Sequence, residues 1–410
     1  MEQAVLVSVI ERDDDEHEAE ASLDELERLL NTAEGEVFAR MTQNKEKPDA
    51  RTYIGSGKVK ELADIVKNND IPLVIFDTEL SPSQIKNLED DIGGEVRVID
   101  RTMLILDIFA KHAVTNEGKV QVELAQLRYT APRLTGKGLQ LSRQQGGREV
   151  ATRGPGETKL ETDRRHLQRR VHALEKELDE IEKNRVVQRS HRNNSGIKKI
   201  AIAGYTNAGK STLLNYLTNA GILAEDKLFA TLDPTTRRFT LSNGTDVLLT
   251  DTVGFIRNLP HHLVKAFKST LEEVTFADII IVMIDASDPE RDAQLDVTKK
   301  LLNELGAGDK TIIYVYNKCD VTGELGTYGS TVYISAQNGE GVDKLVNILE
   351  QIVMDGKSDE TFKIPNNEAG VLNRLYKEAV VTNVDYGDEY ITVKATVDAK
   401  IKGAYKSWII

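Results

Sequence analysis

At 410 residues the chain is longer than one ordinary hydrophobic core organises, and two to four domains are expected. Hydrophobic residues at 40% and charged residues at 29% exclude a wholly disordered or fibrous chain, and the single cysteine, Cys319, excludes an intramolecular disulfide and a cysteine-based zinc site. The formal charge of −13 is uneven: residues 1–36 carry 13 acids against two bases, whereas residues 128–170 carry 11 bases against four acids.

The first hundred residues alternate apolar strands with amphipathic helices, the pattern of βαβ units around a parallel sheet. Strands are predicted at 5–10, 37–41, 73–76 and 96–99. A helix carrying Leu23, Leu26, Leu29 and Leu30 is predicted to open at a capping box of Ser22 and Glu25, and further helices over 56–67 and 81–91. The apolar stretch 4–10 runs straight into the acidic 11–20 without the basic lead of a secretory signal, so a cytoplasmic location is expected. The turn Gly55-Ser56-Gly57-Lys58 precedes a helix, where free amides can cradle a phosphate. It lacks full P-loop spacing, and a second nucleotide, a polyanion contact and a plain structural loop all stay open.

Residues 101–129 are rich in helix formers, and 157–189 place apolar residues at 160, 167, 171, 174, 178 and 181. From 167 the steps alternate between four and three, the spacing of a coiled-coil seam. An antiparallel helical hairpin is therefore predicted within 101–194. Its two helices flank 131–156, where six glycines and two prolines predict an irregular tip. At that tip Arg133, Lys137, Arg143, Arg148 and Arg153 are candidates for RNA contact, because guanidinium groups pair with phosphate and stack on bases. Too few bulky apolar residues stand among them for a membrane-binding face. A hinge with no partner is the alternative.

Beyond a stretch read as a basic linker, 186–199, a short strand at 200–203 leads into Gly204-Tyr205-Thr206-Asn207-Ala208-Gly209-Lys210-Ser211, with a helix at 212–217 behind it. This is GxxxxGKS in its strand, loop and helix context. Its amides are expected to surround phosphates, with Lys210 neutralising the β and γ groups and Ser211 ligating Mg²⁺. Asp251-Thr252-Val253-Gly254 ends a predicted strand at 247–250. Asp251 is expected to hold Mg²⁺ through water, and the Gly254 amide to face the γ-phosphate. Between the two motifs, Phe229-Ala230-Thr231-Leu232-Asp233 offers Thr231 as the switch threonine and second Mg²⁺ ligand, with Thr235 as the fallback. Lys210, Thr231 and Gly254 are the candidate catalytic groups.

Asn317-Lys318-Cys319-Asp320 follows a predicted strand at 311–316. A carboxylate at Asp320 accepts from both N1–H and N2–H₂ of guanine, a pattern adenine lacks, so GTP is expected and not ATP. Asn317 would tie the loops together, the Lys318 stem would cover the base, and Ser335-Ala336-Gln337 would bring the Ala336 amide to guanine O6. Ras-like switches carry a water-orienting glutamine directly after DxxG. Here Phe255 stands at that position, and slow intrinsic hydrolysis is expected. The longest aliphatic run, 279–284, is six residues between Asp278 and Asp285, against about 20 needed to cross a bilayer. The tail predicts a helix at 369–377 and a hairpin of 379–384 with 390–397 around Asp385-Tyr386-Gly387-Asp388.

The expected architecture is α/β and multidomain. It comprises an N-terminal parallel-sheet subdomain (1–100), the helical hairpin arm (101–194), a Ras-like P-loop GTPase domain (195–357) and a small C-terminal α+β appendage (358–410). The turn at Gly55 to Lys58, GPGETKLETDRR at 154–165, GYTNAGKST, FATLD, DTVGF and NKCD together resemble the HflX family of ribosome-associated GTPases over nearly the whole chain. That resemblance implies a monomeric factor that binds the large (50S) ribosomal subunit and splits stalled or idle 70S ribosomes under stress. The arm tip would meet 23S rRNA and the C-terminal unit ribosomal proteins. The alternatives are a checkpoint GTPase in large-subunit assembly and a nucleic-acid remodelling enzyme with a second nucleotide site.

Overall fold

A computed structural model describes residues 2–12, 15–134, 155–193, 197–219, 221, 227–260, 263, 268–323, 326–328 and 331–410. The chain opens with β1 (Glu2–Glu11), α1 (Glu16–Thr32), β2 (Gly35–Lys45), α2 (Ser56–Asn68), β3 (Leu73–Phe76), α3 (Pro82–Ile92) and β4 (Arg97–Asp100). The four strands form a parallel sheet ordered β2-β1-β3-β4. Side chains alternate along β1, so Ala4 and Leu6 join the core under α1 while Val5, Val7 and Val9 join the core under α2 and α3.

Two helix boundaries differ from expectation. Helix α1 starts at Glu16, capped by Asp15, whose side chain accepts the His17 amide at 3.0 Å. Glu16 and Glu18 sit in its first turn, where the helix dipole favours negative charge, so part of the acidic run belongs to the helix and does not precede it. Ser22 and Glu25 are consequently mid-helix and buried. The single helix expected over 101–129 is two, α4 (Arg101–His112) and α5 (Asn116–Leu134). The break falls at Thr115, whose hydroxyl accepts the Gly118 amide at 3.0 Å and caps the second helix.

Helix α6 (Pro155–Asn193) pairs with α5 and, at 39 residues, is about 58 Å long. Of the predicted seam, Val171, Leu174 and Leu178 pack with Val120, Leu124 and Leu127. Arg170 pairs with Glu123 at 2.6 Å and Arg128 with Glu175 at 2.7 Å, so part of the basic run is neutralised along the helix pair. Helix α6 continues through 186–193, part of the stretch expected to be a linker. Arg133 falls in α5, whereas Lys137, Arg143, Arg148 and Arg153 lie outside the described residues.

The next unit contains β5 (Lys198–Gly204), α7 (Lys210–Thr218), β6 (Thr235–Thr240), β7 (Asp246–Asp251), α8 (Lys268–Phe276) and β8 (Ile279–Asp285). It continues with α9 (Arg291–Glu304), β9 (Thr311–Asn317), α10 (Cys319–Thr322), β10 (Gly326–Tyr328), β11 (Thr331–Tyr333) and α11 (Val342–Met354). Its sheet runs β10-β11-β9-β8-β5-β7-β6, antiparallel only at the outer strands β10 and β6. Strand β8 is apolar from Ile279 to Ile284 because it is buried on both faces. Last come β12 (Lys357–Pro365), α12 (Gly370–Glu378), β13 (Val380–Tyr386), β14 (Tyr390–Asp398) and α13 (Ala399–Ala404), with an antiparallel β12-β14-β13 sheet. No strand was predicted at β12; its sequence is mostly charged and polar, and only Phe362 and Ile364 are fully buried.

One hydrophobic core joins the first unit to the third. Leu26 and Leu29 of α1 and Ile105 and Phe109 of α4 share it with Leu228, Phe229, Leu232, Phe255 and Ile256. The segments that surround the phosphate loop are therefore packed against the N-terminal helices. No helix among the described residues is long and apolar enough to cross a membrane.

Candidate nucleotide site

Strand β5 delivers the phosphate loop and α7 leaves it. Gly204 (φ +141°) and Gly209 (φ +93°) hold left-handed conformations, and a Cβ at either would collide with Met283 or Asn317. The resulting pocket is lined by Thr206, Asn207, Gly209, Lys210, Ser211, Thr212, Lys227, Phe229, Ala230, Thr231, Thr252 and Gly254. The buried Lys210 ammonium donates to the carbonyls of Tyr205 at 2.7 Å and Gly204 at 3.2 Å. Burial lowers its pKa to about 8, opposed by the nearby Asp251 carboxylate.

Three oxygens converge beside it. Ser211 Oγ donates to Asp251 Oδ2 at 2.6 Å and lies 2.8 Å from Thr231 Oγ1. Burial raises the Asp251 pKa, while Lys210 and Ser211 oppose that shift. Its second oxygen, Oδ1, is buried without a hydrogen-bond partner among the described residues. Two hydroxyls and a carboxylate with an orphaned oxygen suit a hard cation such as Mg²⁺. The fallback Thr235 instead opens β6, opposite Asp251 in the sheet register.

The end of the DxxG motif is stitched to the phosphate loop. Phe255 N donates to Gly204 O at 3.0 Å, and Thr206 N donates to Phe255 O at 2.8 Å. A Cβ at Gly254 would lie 2.7 Å from Thr206 Cγ2 and 3.0 Å from Lys210 Nζ. The Phe255 ring is 1% exposed and belongs to the shared core, so it faces away from the pocket.

At the base-recognition loop, Asn317 Nδ2 donates to Ala208 O at 2.9 Å and its Oδ1 accepts the Ala336 amide at 2.8 Å. Asn317 thus joins three loops, and the Ala336 amide expected to face guanine O6 is directed to Asn317. Lys318 adopts φ +65° and pairs with Asp285 at 2.6 Å. Asp320 and Gln337 are exposed, while Ser335 is buried and accepts the Asn338 amide at 3.2 Å. The Cys319 thiol is buried and donates to Tyr316 O at 3.2 Å.

Several residues expected at the cofactor point elsewhere. Leu232 and Val253 are core residues. The Asp233 carboxylate accepts from Val114 N and Thr115 N at 2.9 Å each and from Thr115 Oγ1 at 2.5 Å, at the junction of α4 and α5. The Tyr205 phenol donates to Glu25 of α1. Glu25 in turn accepts from Arg101, which also donates to Asp77 at 2.6 Å. Burial opposes the charge on Arg101, yet Glu25 and Asp77 hold its pKa above the ordinary value. This network was not read from the sequence; its one signal is a lone arginine opening the apolar stretch of α4. At the Gly55 turn, the Gly55 amide donates to Gln43 at 2.8 Å and Lys58 pairs with Glu61 at 2.9 Å.

Residues 20–110 match a family described as GTP-binding GTPase N-terminal, residues 112–192 one described as GTP-binding GTPase middle region, and residues 199–318 one described as 50S ribosome-binding GTPase. Along its length the chain is 48% identical over 411 residues to a GTPase HflX of Caldanaerobacter subterraneus subsp. tengcongensis, covering 100% of this chain and 94% of that protein. This chain belongs to the HflX family of GTPases. The GTPase HflX of Escherichia coli is 41% identical over 384 residues, 92% of this chain and 88% of its own. A solved GTP-binding protein of Sulfolobus solfataricus, in complex with GDP, aligns over 87% of this chain and 99% of its own at 24% identity and a TM-score of 0.45. As an HflX GTPase the protein binds GTP and hydrolyses it, on a multidomain α/β fold.

Proposed function

We propose that this HflX GTPase binds the large ribosomal subunit with its arm and, when loaded with GTP, dissociates stalled or idle ribosomes during stress, hydrolysis permitting release. The observation that carries this reading is the placement of one segment, 229–233, which meets Ser211 through Thr231 and the base of α5 through Asp233. A nucleotide switch bonded to the root of a two-helix arm couples the phosphate count to where the far end of that arm can go. The match of residues 199–318 to a 50S ribosome-binding family supports the partner. Arg133, Lys137, Arg143, Arg148 and Arg153 are assigned to 23S rRNA, and the C-terminal unit to ribosomal proteins. The units are 1–100, 101–194, 195–357 and 358–410, in a cytoplasmic monomer.

At the pocket, Lys210 meets the β- and γ-phosphates and the Gly254 amide the γ-phosphate. Ser211 and Thr231 would hold Mg²⁺, with Asp251 acting through water, and the ion would neutralise phosphate charge. Asp320 accepts from guanine, flanked by Asn317 and Lys318. With the Phe255 ring in the core, the position after DxxG presents no side-chain amide to the attacking water, so hydrolysis alone is slow and the ribosome accelerates it. Purified 70S particles incubated with the protein and resolved on sucrose gradients test this. GTP should convert them to subunits and GDP should not; intact 70S alongside binding to immature large subunits would favour the assembly checkpoint.

A further inference from the structure

We propose that Asp233 is a positioning residue for GTP hydrolysis: by gripping the root of the arm it fixes Thr231 at the phosphate site, and the same grip reports the state of the arm to the nucleotide. This rests on the GTPase reading of the pocket and on the arm as the element that engages the partner. One residue, the buried Leu232, separates Thr231 from Asp233. On the pocket side Thr231 Oγ1 lies 2.8 Å from Ser211 Oγ. On the other side the Asp233 carboxylate takes three hydrogen bonds at the start of α5, where the helix dipole favours an anion.

The upstream end of the segment is held by the same part of the molecule. Leu228 N donates to Thr32 Oγ1 at 3.3 Å, His112 Nδ1 donates to Phe229 O at 2.6 Å, and the rings of Phe109 and Phe229 meet edge to face at 4.7 Å. Ala230 and Thr231, which line the pocket, therefore lie between two anchors on N-terminal and arm elements. Gly118 shows how closely the downstream anchor is fitted, since a Cβ there would collide with Asp233 Oδ1. Glycine is the poorest helix former after proline, and at this position it admits the carboxylate. Linkage makes the coupling reciprocal. GTP, which needs Thr231 in place, favours the gripped root, and partner binding that steadies the root favours Thr231 and hydrolysis.

The experiment uses the full chain as wild type, Asp233→Asn and Gly118→Ala, without ribosomes. In wild type the Val114 and Thr115 amides should exchange hydrogen about tenfold more slowly with a non-hydrolysable GTP analogue than with GDP, and both variants should lose that difference. Analogue affinity and single-turnover hydrolysis should each fall about tenfold, the worth of one charge-assisted hydrogen bond, while GDP affinity stays within about threefold and shows the fold intact. A purely structural role predicts the opposite for Gly118→Ala, since alanine favours the helix and would leave the analogue-to-GDP ratio alone. Equal amide protection in the two nucleotide states, or variants that keep the wild-type ratio, would overturn the proposal. Because no ribosome is present, failure of the splitting reading would leave these results unchanged and is distinguishable from them.

Discussion

The phenol of Tyr205 donates to the carboxylate of Glu25, 180 residues earlier in the chain, while its oxygen accepts the Arg257 amide at 2.7 Å. One hydroxyl thus joins the phosphate loop, the segment after DxxG and helix α1. Both side chains are buried. Tyr205→Phe leaves the Glu25 carboxylate and the Arg257 amide each one partner short, at a cost of about 1–3 kcal/mol. Denaturant unfolding of the nucleotide-free protein should show that loss. A change below about 0.5 kcal/mol would mean the junction is held by packing alone.

Restoring the Ras-like residue at Phe255 should not restore fast hydrolysis. The ring sits in the apolar core shared with α1 and α4, and the Phe255 backbone is pinned to Gly204 and Thr206. A glutamine there would put an amide among apolar side chains and leave a void, destabilising the protein by about 2–4 kcal/mol. Intrinsic turnover of Phe255→Gln should be equal to or below wild type in a phosphate-release assay; a tenfold gain would show that the side chain reaches the attacking water.

Much of the phosphate pocket was legible from local pattern, and what was not legible depends on contacts distant in sequence. GxxxxGKS, DxxG and NKxD are contiguous, so the loops they form can be read from spacing and order, and the structure brings together Ser211 and Asp251 of the first two and Thr231 of the segment between them. The pattern does not reveal that Asp233 turns to Thr115, or that Tyr205 reaches Glu25, because those partners are more than a hundred residues away. The capping box at Ser22 failed for a related reason. Both of its residues serve the buried Arg101, and the helix takes its cap from Asp15. Strand β12 escaped because a three-stranded sheet under one helix layer buries few of its residues.

Guanine selectivity should move with Asp320. The carboxylate is exposed beside the buried Asn317 and Cys319, and in the proposed base-binding role it accepts two donors of guanine. Asp320→Asn exchanges an acceptor for a donor, so GTP affinity should fall by about two to three orders of magnitude, and xanthosine triphosphate, which presents a carbonyl where guanine has its amine, should bind better than GTP. Competition binding with a fluorescent nucleotide reads the ratio. Retained preference for GTP would place base recognition elsewhere.

The most direct test of the account is cosedimentation of the full-length protein with isolated large ribosomal subunits in its GTP-analogue and GDP forms. The analogue form should pellet with the particle, release steeply as salt rises because phosphate contacts supply the affinity, and the GDP form should stay in the supernatant. Equal pelleting of both forms, at any salt, would contradict the link from nucleotide to arm.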